Sequence, residues 1–390
     1  MKPLASCVDG VQNSPIRKLF NKAAGLKDVI PFTVGEPDFN TPGYIVDAAI
    51  AALKDGKCHH YPPNAGYDFL RAAVTKETEK THGLKFPDPI KCAMITCGGM
   101  EALSLAFHVI VDPGDEVILG DPCYVNYRGM CAIQHAKAVF VPCYAKDGFA
   151  FDIESLKKAI TPKTKAIVLN SPMNPTGGVA NPERLKEIAK ICIENDLYVF
   201  SDEVYQALTY EDNKFVSIAT LPGMQERTII INSFSKKYAM CGWRVGYAMA
   251  REDIVDAMSR FQENIASGVN GTAQYAALAA LEGPQDDFEE MLRQYTVRRN
   301  LVVEGFNKIP GLKCFAPQGT FYAFIDVSGT GMTGGEFAED LIEKARVIVV
   351  PGDGFGDEGK KYVRLVFATS EERIREGIRR IGKYMEERSK

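Results

Sequence analysis

The chain has 390 residues, 46% hydrophobic and 25% charged, with 46 Lys plus Arg against 50 Asp plus Glu for a net charge of −4. These are the proportions of a soluble globular protein that can bury a sizeable core without disulfide or metal staples. The absence of a long basic run argues against nucleic acid or a membrane surface as partner, and the most apolar stretches, such as 165–169 and 228–231, fall far short of the ~20 residues of a membrane span. Residues 1–15 lack the apolar core of a secretory signal. The 10 cysteines are scattered and never form a C-x-x-C pair, which reads as reduced thiols of a cytoplasmic protein.

In chain order, Ile16, Leu19, Phe20 and Ala23 share one face of a helix predicted over 14–26. A short strand is expected over 29–34. From about residue 90 to 250 short apolar runs alternate with amphipathic segments. The spacing predicts strands over 92–96, 116–119, 138–142, 166–170, 198–201, 228–232 and 245–249. Helices are predicted over 100–111, 124–133, 153–160 and 182–194, with Pro113-Gly114 and Pro175-Thr176-Gly177 as punctuation. Several strands are apolar on both faces, which suits a mostly parallel sheet covered by helices. Beyond Pro284 come a long helix over 286–307, strand-like runs over 313–315, 320–325, 347–350 and 362–367, and a last helix over 371–386. The expected fold class is therefore α/β. A large domain over 45–284 carries the central sheet, and a smaller α+β domain is built from both chain ends, 1–44 and 285–390.

The stretch from Ser233 to Tyr247 reads S-F-S-K-K-Y-A-M-C-G-W-R-V-G-Y. It sets two hydroxyls, Ser233 and Ser235, beside Lys236 and Arg244 at the end of a predicted strand. Hydroxyls and an arginine fork suit a phosphate, and a lysine among them suits an imine-forming amine. Alone, such a string is more often a solvated turn; its flanks decide.

With those flanks the string closely resembles the cofactor-lysine motif of class I aminotransferases, the fold type I pyridoxal-phosphate enzymes. Further matches follow in the family's order over nearly the whole chain. They are Gly35-Glu36-Pro37-Asp38-Phe39, Tyr61 in Tyr61-Pro62-Pro63-Asn64-Ala65-Gly66, Gly98-Gly99-Met100-Glu101-Ala102, Asp121-Pro122-Cys123-Tyr124, Asn174-Pro175-Thr176-Gly177, Ser201-Asp202-Glu203-Val204-Tyr205 and Tyr362-Val363-Arg364-Leu365. The resemblance implies pyridoxal 5'-phosphate as cofactor, an L-amino acid and a 2-oxo acid as substrates in a ping-pong cycle, and a homodimer with shared sites. It also implies a role for each matching residue. Lys236 holds the cofactor as an imine and then serves as the base at the substrate α-carbon. Asp202 pairs with the pyridine nitrogen, and the adjacent Glu203 reads as an exposed acidic turn. Tyr205 and Asn174 donate to the cofactor's phenolic oxygen. Gly98, Gly99 and Met100 open a helix whose N–H groups approach the phosphate, joined by Ser233, Ser235 and Arg244 and by Tyr61 from the partner subunit. Tyr124 stacks on the ring. Arg364 takes the substrate α-carboxylate as a planar fork, with Gly35 nearby.

Two other readings compete. One is a β-eliminating C-S lyase of the same fold; in such lyases the stretch after the aspartate tends to read Glu-Ile-His, and here it is Glu203-Val204-Tyr205. The other is a regulatory aminotransferase-like protein, which needs a DNA-binding module for which there is no room before Gly35. Within the aminotransferases, Ile16-Arg17-Lys18-Leu19-Phe20 and Trp243-Arg244 look most like the aspartate and aromatic branch. Some aspartate-using relatives place a lysine where this chain has Met100, which points toward aromatic or broad substrates, although Arg17 or a partner arginine remains a candidate for a distal carboxylate. The histidines, His59-His60 included, lack metal-ligand spacing, so no metal is expected. Gly352-Asp353-Gly354-Phe355-Gly356 has the wrong spacing for a dinucleotide fingerprint and reads as a loop.

Overall fold

A computed structural model of the chain describes residues 2–11 and 25–388. The helix expected over 14–26 lies almost wholly outside the described residues, and Arg17 with it. The strands are β1 (Ile30–Pro31), β2 (Ala93–Thr96), β3 (Glu116–Asp121), β4 (Lys137–Pro142), β5 (Thr164–Asn170), β6 (Tyr198–Asp202), β7 (Thr228–Ser233), β8 (Gly246–Met249), β9 (Lys313–Cys314), β10 (Tyr322–Asp326), β11 (Val347–Ile348), β12 (Val350–Pro351) and β13 (Tyr362–Val366). A seven-stranded sheet has the order β2-β8-β7-β6-β5-β3-β4. Its neighbours pair in parallel except β8, which runs against both β2 and β7.

Period-two alternation explains why this sheet is apolar throughout. Val117, Leu119, Val168, Phe200, Ile229 and Ile231 enter the core on one face, with Leu103 and Phe107 of the helix Gly99–Ile110. Ile118, Ile167 and Val199 enter the core on the other face, with Leu185 and Ile188 of the helix Pro182–Glu194. That helix starts where Asn181 accepts a hydrogen bond from the Glu183 N–H and Pro182 needs no donor of its own. Each such side chain, fully buried, contributes roughly 1.5–3 kcal/mol.

Four helices over stretches left unassigned by the sequence complete the cover: Gly43–Lys54, Asp68–His82, Glu252–Ile265 and Gly271–Glu282. Asp68–His82 shows why its pattern is weak, since Thr75 and Thr78 are buried on its inner face beside Leu70 and Val74.

A second, antiparallel sheet has the order β12-β13-β10-β9, and β1 pairs in parallel with β11. The single strand expected over 347–350 is thus divided between two sheets. The helices Asp286–Phe306 and Glu371–Arg388 share a core with this region through Tyr295, Val302, Phe306, Ile374 and Ile381. In the middle strand, Arg364 stands opposite Phe324 on one side and Val350 on the other.

Candidate active site

The C-terminal ends of β5, β6 and β7 and the turn after β2 open onto one cavity of about 460 Å³, the position where open α/β sheets bind ligands. Of the residues to which the resemblance assigns a cofactor or substrate role, all but Gly98 and Tyr61 line it: Gly35, Gly99, Met100, Tyr124, Asn174, Asp202, Tyr205, Ser233, Ser235, Lys236, Arg244 and Arg364.

One end of the cavity is built from hydrogen-bond donors. Gly98 precedes the helix Gly99–Ile110 with φ of 75°, and a Cβ there would lie 2.6 Å from Arg244 Nη2. Gly246 is equally tight, since its Cβ would lie 2.7 Å from the Gly98 carbonyl carbon. The backbone approach at the start of this helix therefore requires glycine. The Ser233 and Ser235 hydroxyls lie 2.8 Å apart, and Arg244 is fixed through Nη1 to the Cys241 carbonyl at 3.0 Å. Helix N–H groups, hydroxyls and a guanidinium together match a dianion.

Lys236 and Lys237 share the turn Phe234–Lys237 but face different surroundings. Lys236 Nζ donates to the Gly35 carbonyl at 2.6 Å and lies 5.6 Å from the Tyr205 ring. Lys237 Nζ lies 3.5 Å from Glu77 Oε1 instead. Gly35 has no room for a side chain, because a Cβ would collide with the Tyr322 hydroxyl.

Asp202 ends β6 and is buried. Burial pushes its carboxyl up to about 6, against the lowering effect of hydrogen bonds from the Tyr127 hydroxyl and the Val204 N–H; Glu203 raises it further and Lys236 lowers it. Tyr127 Oη donates to Asp202 Oδ2 at 2.5 Å. Sequence reasoning missed Tyr127. Its one signal is the spacing of three from Tyr124, to which its ring packs edge-on at 5.5 Å. Tyr124 accepts a hydrogen bond from Asn126 Nδ2 at 3.0 Å, and burial pushes its phenol up to about 12.

Tyr205 is buried with its hydroxyl 2.7 Å from that of Tyr322. Burial holds the Tyr205 phenol well above the usual range. Tyr322 is the second residue missed, because only the pairing of β10 with β13 carries it to the site.

Arg364 is buried, with its guanidinium carbon 4.7 Å from the ring centre of Tyr322 and 5.0 Å from that of Phe355. Nη1 donates to Asn174 Oδ1 at 3.0 Å and Nη2 to the Thr33 carbonyl at 2.9 Å. Nε is buried without a partner among the described residues. A charged donor left in that condition is costly. Asn174 spends its carbonyl oxygen on Arg364, which leaves the NH2 end of its amide to serve as a donor.

Glu203 corrects the sequence reading. It is not an exposed turn but 1% exposed. Its carboxylate accepts from Ser201 Oγ at 2.7 Å and Ser217 Oγ at 2.5 Å, and lies 2.7 Å from Nε2 of the buried His82. This network anchors the chain just past Asp202 from the side away from the cavity lining. Tyr61 is 92% exposed and does not line the cavity of its own chain.

The family model for aminotransferase class I and II matches residues 27–381. The aspartate aminotransferase of Pyrococcus abyssi is 42% identical over 383 residues, 98% of each chain. The aromatic-amino-acid aminotransferase 2 of Thermococcus litoralis is 41% identical, covering 99% of each. Among solved structures, the aspartate aminotransferase from Thermus thermophilus with maleate superposes with a TM-score of 0.92 at 37% identity, covering 98% of this chain and 100% of that one. By sequence and by architecture, this chain belongs to the class I and II aminotransferase family.

Proposed function

We propose that the protein is a pyridoxal-5'-phosphate-dependent aminotransferase that moves an amino group between an L-amino acid of aspartate or aromatic type and a 2-oxo acid, by a ping-pong mechanism. The observation that carries this reading is the convergence on one cavity of a dianion cradle, a lysine, a buried carboxylate and an arginine fork. The donor set fits the cofactor. The helix turn at Gly98, Gly99 and Met100, with Ser233, Ser235 and Arg244, would hold the phosphate. Asp202 would hold a proton at the ring nitrogen, Tyr205 and Asn174 would donate to the ring oxygen, and Tyr124 would stack on the ring. When bound, the cofactor supplies an aldehyde carbon that takes up the amino group and a ring that draws off the electrons left when the α-proton departs. Arg364 binds and orients the α-carboxylate as a planar fork, itself held by Asn174 and the Thr33 carbonyl. Lys236 Nζ, at the wall of the cavity, takes the proton from the substrate α-carbon and returns one on the other side of the exchange. The relatives described above are named as aminotransferases, which favours transfer over the eliminating-lyase reading.

We also propose the division into a cofactor domain over 45–284 and a smaller domain from 1–44 and 285–390. The separate antiparallel sheet supports it, with a core drawn mostly from 285–390 together with Ile30 and Phe32, which Tyr205, Leu208 and Tyr210 join. The ten cysteines are all free thiols, in keeping with a cytoplasmic enzyme.

The proposed homodimer gives Tyr61 its use, since an almost fully exposed tyrosine outside its own cavity suits a phosphate contact in the neighbouring subunit. Lys236→Ala and Tyr61→Ala are each expected to be severely impaired. Mixed and reassociated, they should regain activity, because one hybrid site has both residues intact. A wild-type monomer by light scattering with full turnover would refute the shared site.

On substrates, the cationic side chains among the described cavity-lining residues are Lys236, Arg244 and Arg364, and all three already have roles. Met100 instead brings a polarizable side chain suited to an aromatic ring. Aromatic amino acids are therefore expected to be used at least as well as aspartate. The test is kcat/KM for aspartate, glutamate, tyrosine, phenylalanine and alanine with 2-oxoglutarate as the single acceptor. An advantage of aspartate above about a hundredfold, roughly 2.7 kcal/mol of transition-state discrimination, would require a second carboxylate fork and overturn the reading of Met100.

A further inference from the structure

Asp121 ends β3 and takes no part in the chemistry above, yet its carboxylate is buried. Both oxygens are used on a segment more than 230 residues further along: Oδ2 accepts from the Asp357 N–H and Oδ1 from the Glu358 N–H, each at 3.1 Å. Next to it the Cys123 N–H donates to the Phe355 carbonyl at 2.9 Å. Gly356 sits between these contacts at φ of 145°, and any side chain there would collide with the Asp121 carboxylate. Three hydrogen bonds thus tie the end of a central strand to the loop 353–358. That loop delivers Phe355, whose buried ring has its centre 5.0 Å from the Arg364 guanidinium carbon.

We propose that Asp121 is a positioning residue for substrate carboxylate binding: by holding the loop 353–358 it keeps Phe355 packed on the Arg364 guanidinium. A planar guanidinium pairs with a carboxylate best when its orientation is held. Asn174 and the Thr33 carbonyl hold one nitrogen each, the Tyr322 and Phe355 rings pack against it, and the residue lines the cavity. With the loop released, the Phe355 contact is lost and the fork loses part of what fixes its orientation. The cost falls on every substrate alike, since all share the α-carboxylate. The proposal rests on the reading of Arg364 as the carboxylate fork.

The test compares Asp121→Asn, Asp121→Ala, Phe355→Leu and Arg364→Lys in the holoenzyme. Two quantities are measured: KM and kcat for three donors of different side chain, and the Kd of 3-phenylpropionate, a carboxylic acid without an amino group, by calorimetry. The two Asp121 variants and Phe355→Leu are expected to raise KM and Kd by threefold or more, by a similar factor for each donor, with kcat within threefold of wild type. The double variant Asp121→Asn/Phe355→Leu should be no worse than the poorer single one, because both act through one contact. KM and Kd within threefold of wild type for Asp121→Asn and Phe355→Leu, whatever the change in thermal stability, or multiplying effects in the double variant, would overturn the proposal. If Arg364→Lys also leaves KM and Kd unchanged, it is the fork itself that has been misread; if Arg364→Lys raises them and the other variants do not, only the role of Asp121 falls.

Discussion

Lys236→Ala is expected to abolish turnover, by roughly a thousandfold or more in kcat, while leaving a folded protein that still takes up pyridoxal phosphate. A positioned acid–base group contributes roughly 10²–10⁴ in rate, and in the proposed function Lys236 also carries the cofactor. Its removal costs the fold little, because the Nζ hydrogen bonds given up are those to the Gly35 carbonyl and to Cys241 Sγ. The dianion cradle, Asp202 and Tyr124 are all untouched by the change. Mass spectrometry after borohydride reduction of wild-type protein should find the cofactor on Lys236. An adduct on Lys237, which is engaged with Glu77, would overturn the assignment, as would near-normal turnover in the variant.

The second large effect is expected at Asp202. Asp202→Asn keeps the shape of the side chain and a carbonyl oxygen for the Tyr127 hydroxyl, but removes the negative charge. Breaking a buried charged pair costs roughly 3–5 kcal/mol, which at about 1.36 kcal/mol per decade is roughly two to four decades in rate. The pH dependence follows from the same carboxyl. Burial holds it at about 6 in the folded apoprotein, against about 3.9 in an unfolded chain. The folded form therefore takes up a proton as pH falls through about 6, where the unfolded chain does not. Stability from this group is highest below the unfolded value and is lost as pH rises through about 6. Cofactor binding has the opposite sense, because a protonated ring nitrogen needs the ionised carboxylate. Below pH 6 the apparent Kd of the apoprotein for pyridoxal phosphate should rise more steeply in wild type than in Asp202→Asn, by about tenfold per pH unit. Equal slopes in equilibrium dialysis would show that another group holds the ring nitrogen.

Much of the site was legible because its residues sit in short local strings at strand ends. Asp202 closes β6, Ser233 closes β7 with Lys236 in the turn that follows, and Gly98-Gly99 follows β2. Such positions can be read from an apolar run and the residue that stops it. What was not legible depends on partners far away in the chain. Glu203 looks like a surface acid until His82, 121 positions earlier, is placed against it. Tyr322 becomes a site residue only through the register of β10 on β13. The insertion of β8 as the one reversed strand, between β2 and β7, has no local signature of direction either, since it is buried along its whole length like β3 and β7. The division of 347–350 between β11 and β12 is a further case, in which one apolar run serves two sheets.

The sequence distance spanned by Arg364 sets an order of assembly. Its Nη2 is held by the Thr33 carbonyl, 331 positions away, and the parallel pairing of β1 with β11 brings the same two regions together. The dianion cradle, by contrast, draws on residues between Gly98 and Gly246, together with Lys236 and Asp202. On a ribosome, where domains tend to fold as units from the N-terminal side, the cradle, Asp202 and Lys236 have all emerged while the arginine fork is still unmade. A chain released between those two points would carry the groups proposed to dock the cofactor but not the fork proposed for the α-carboxylate.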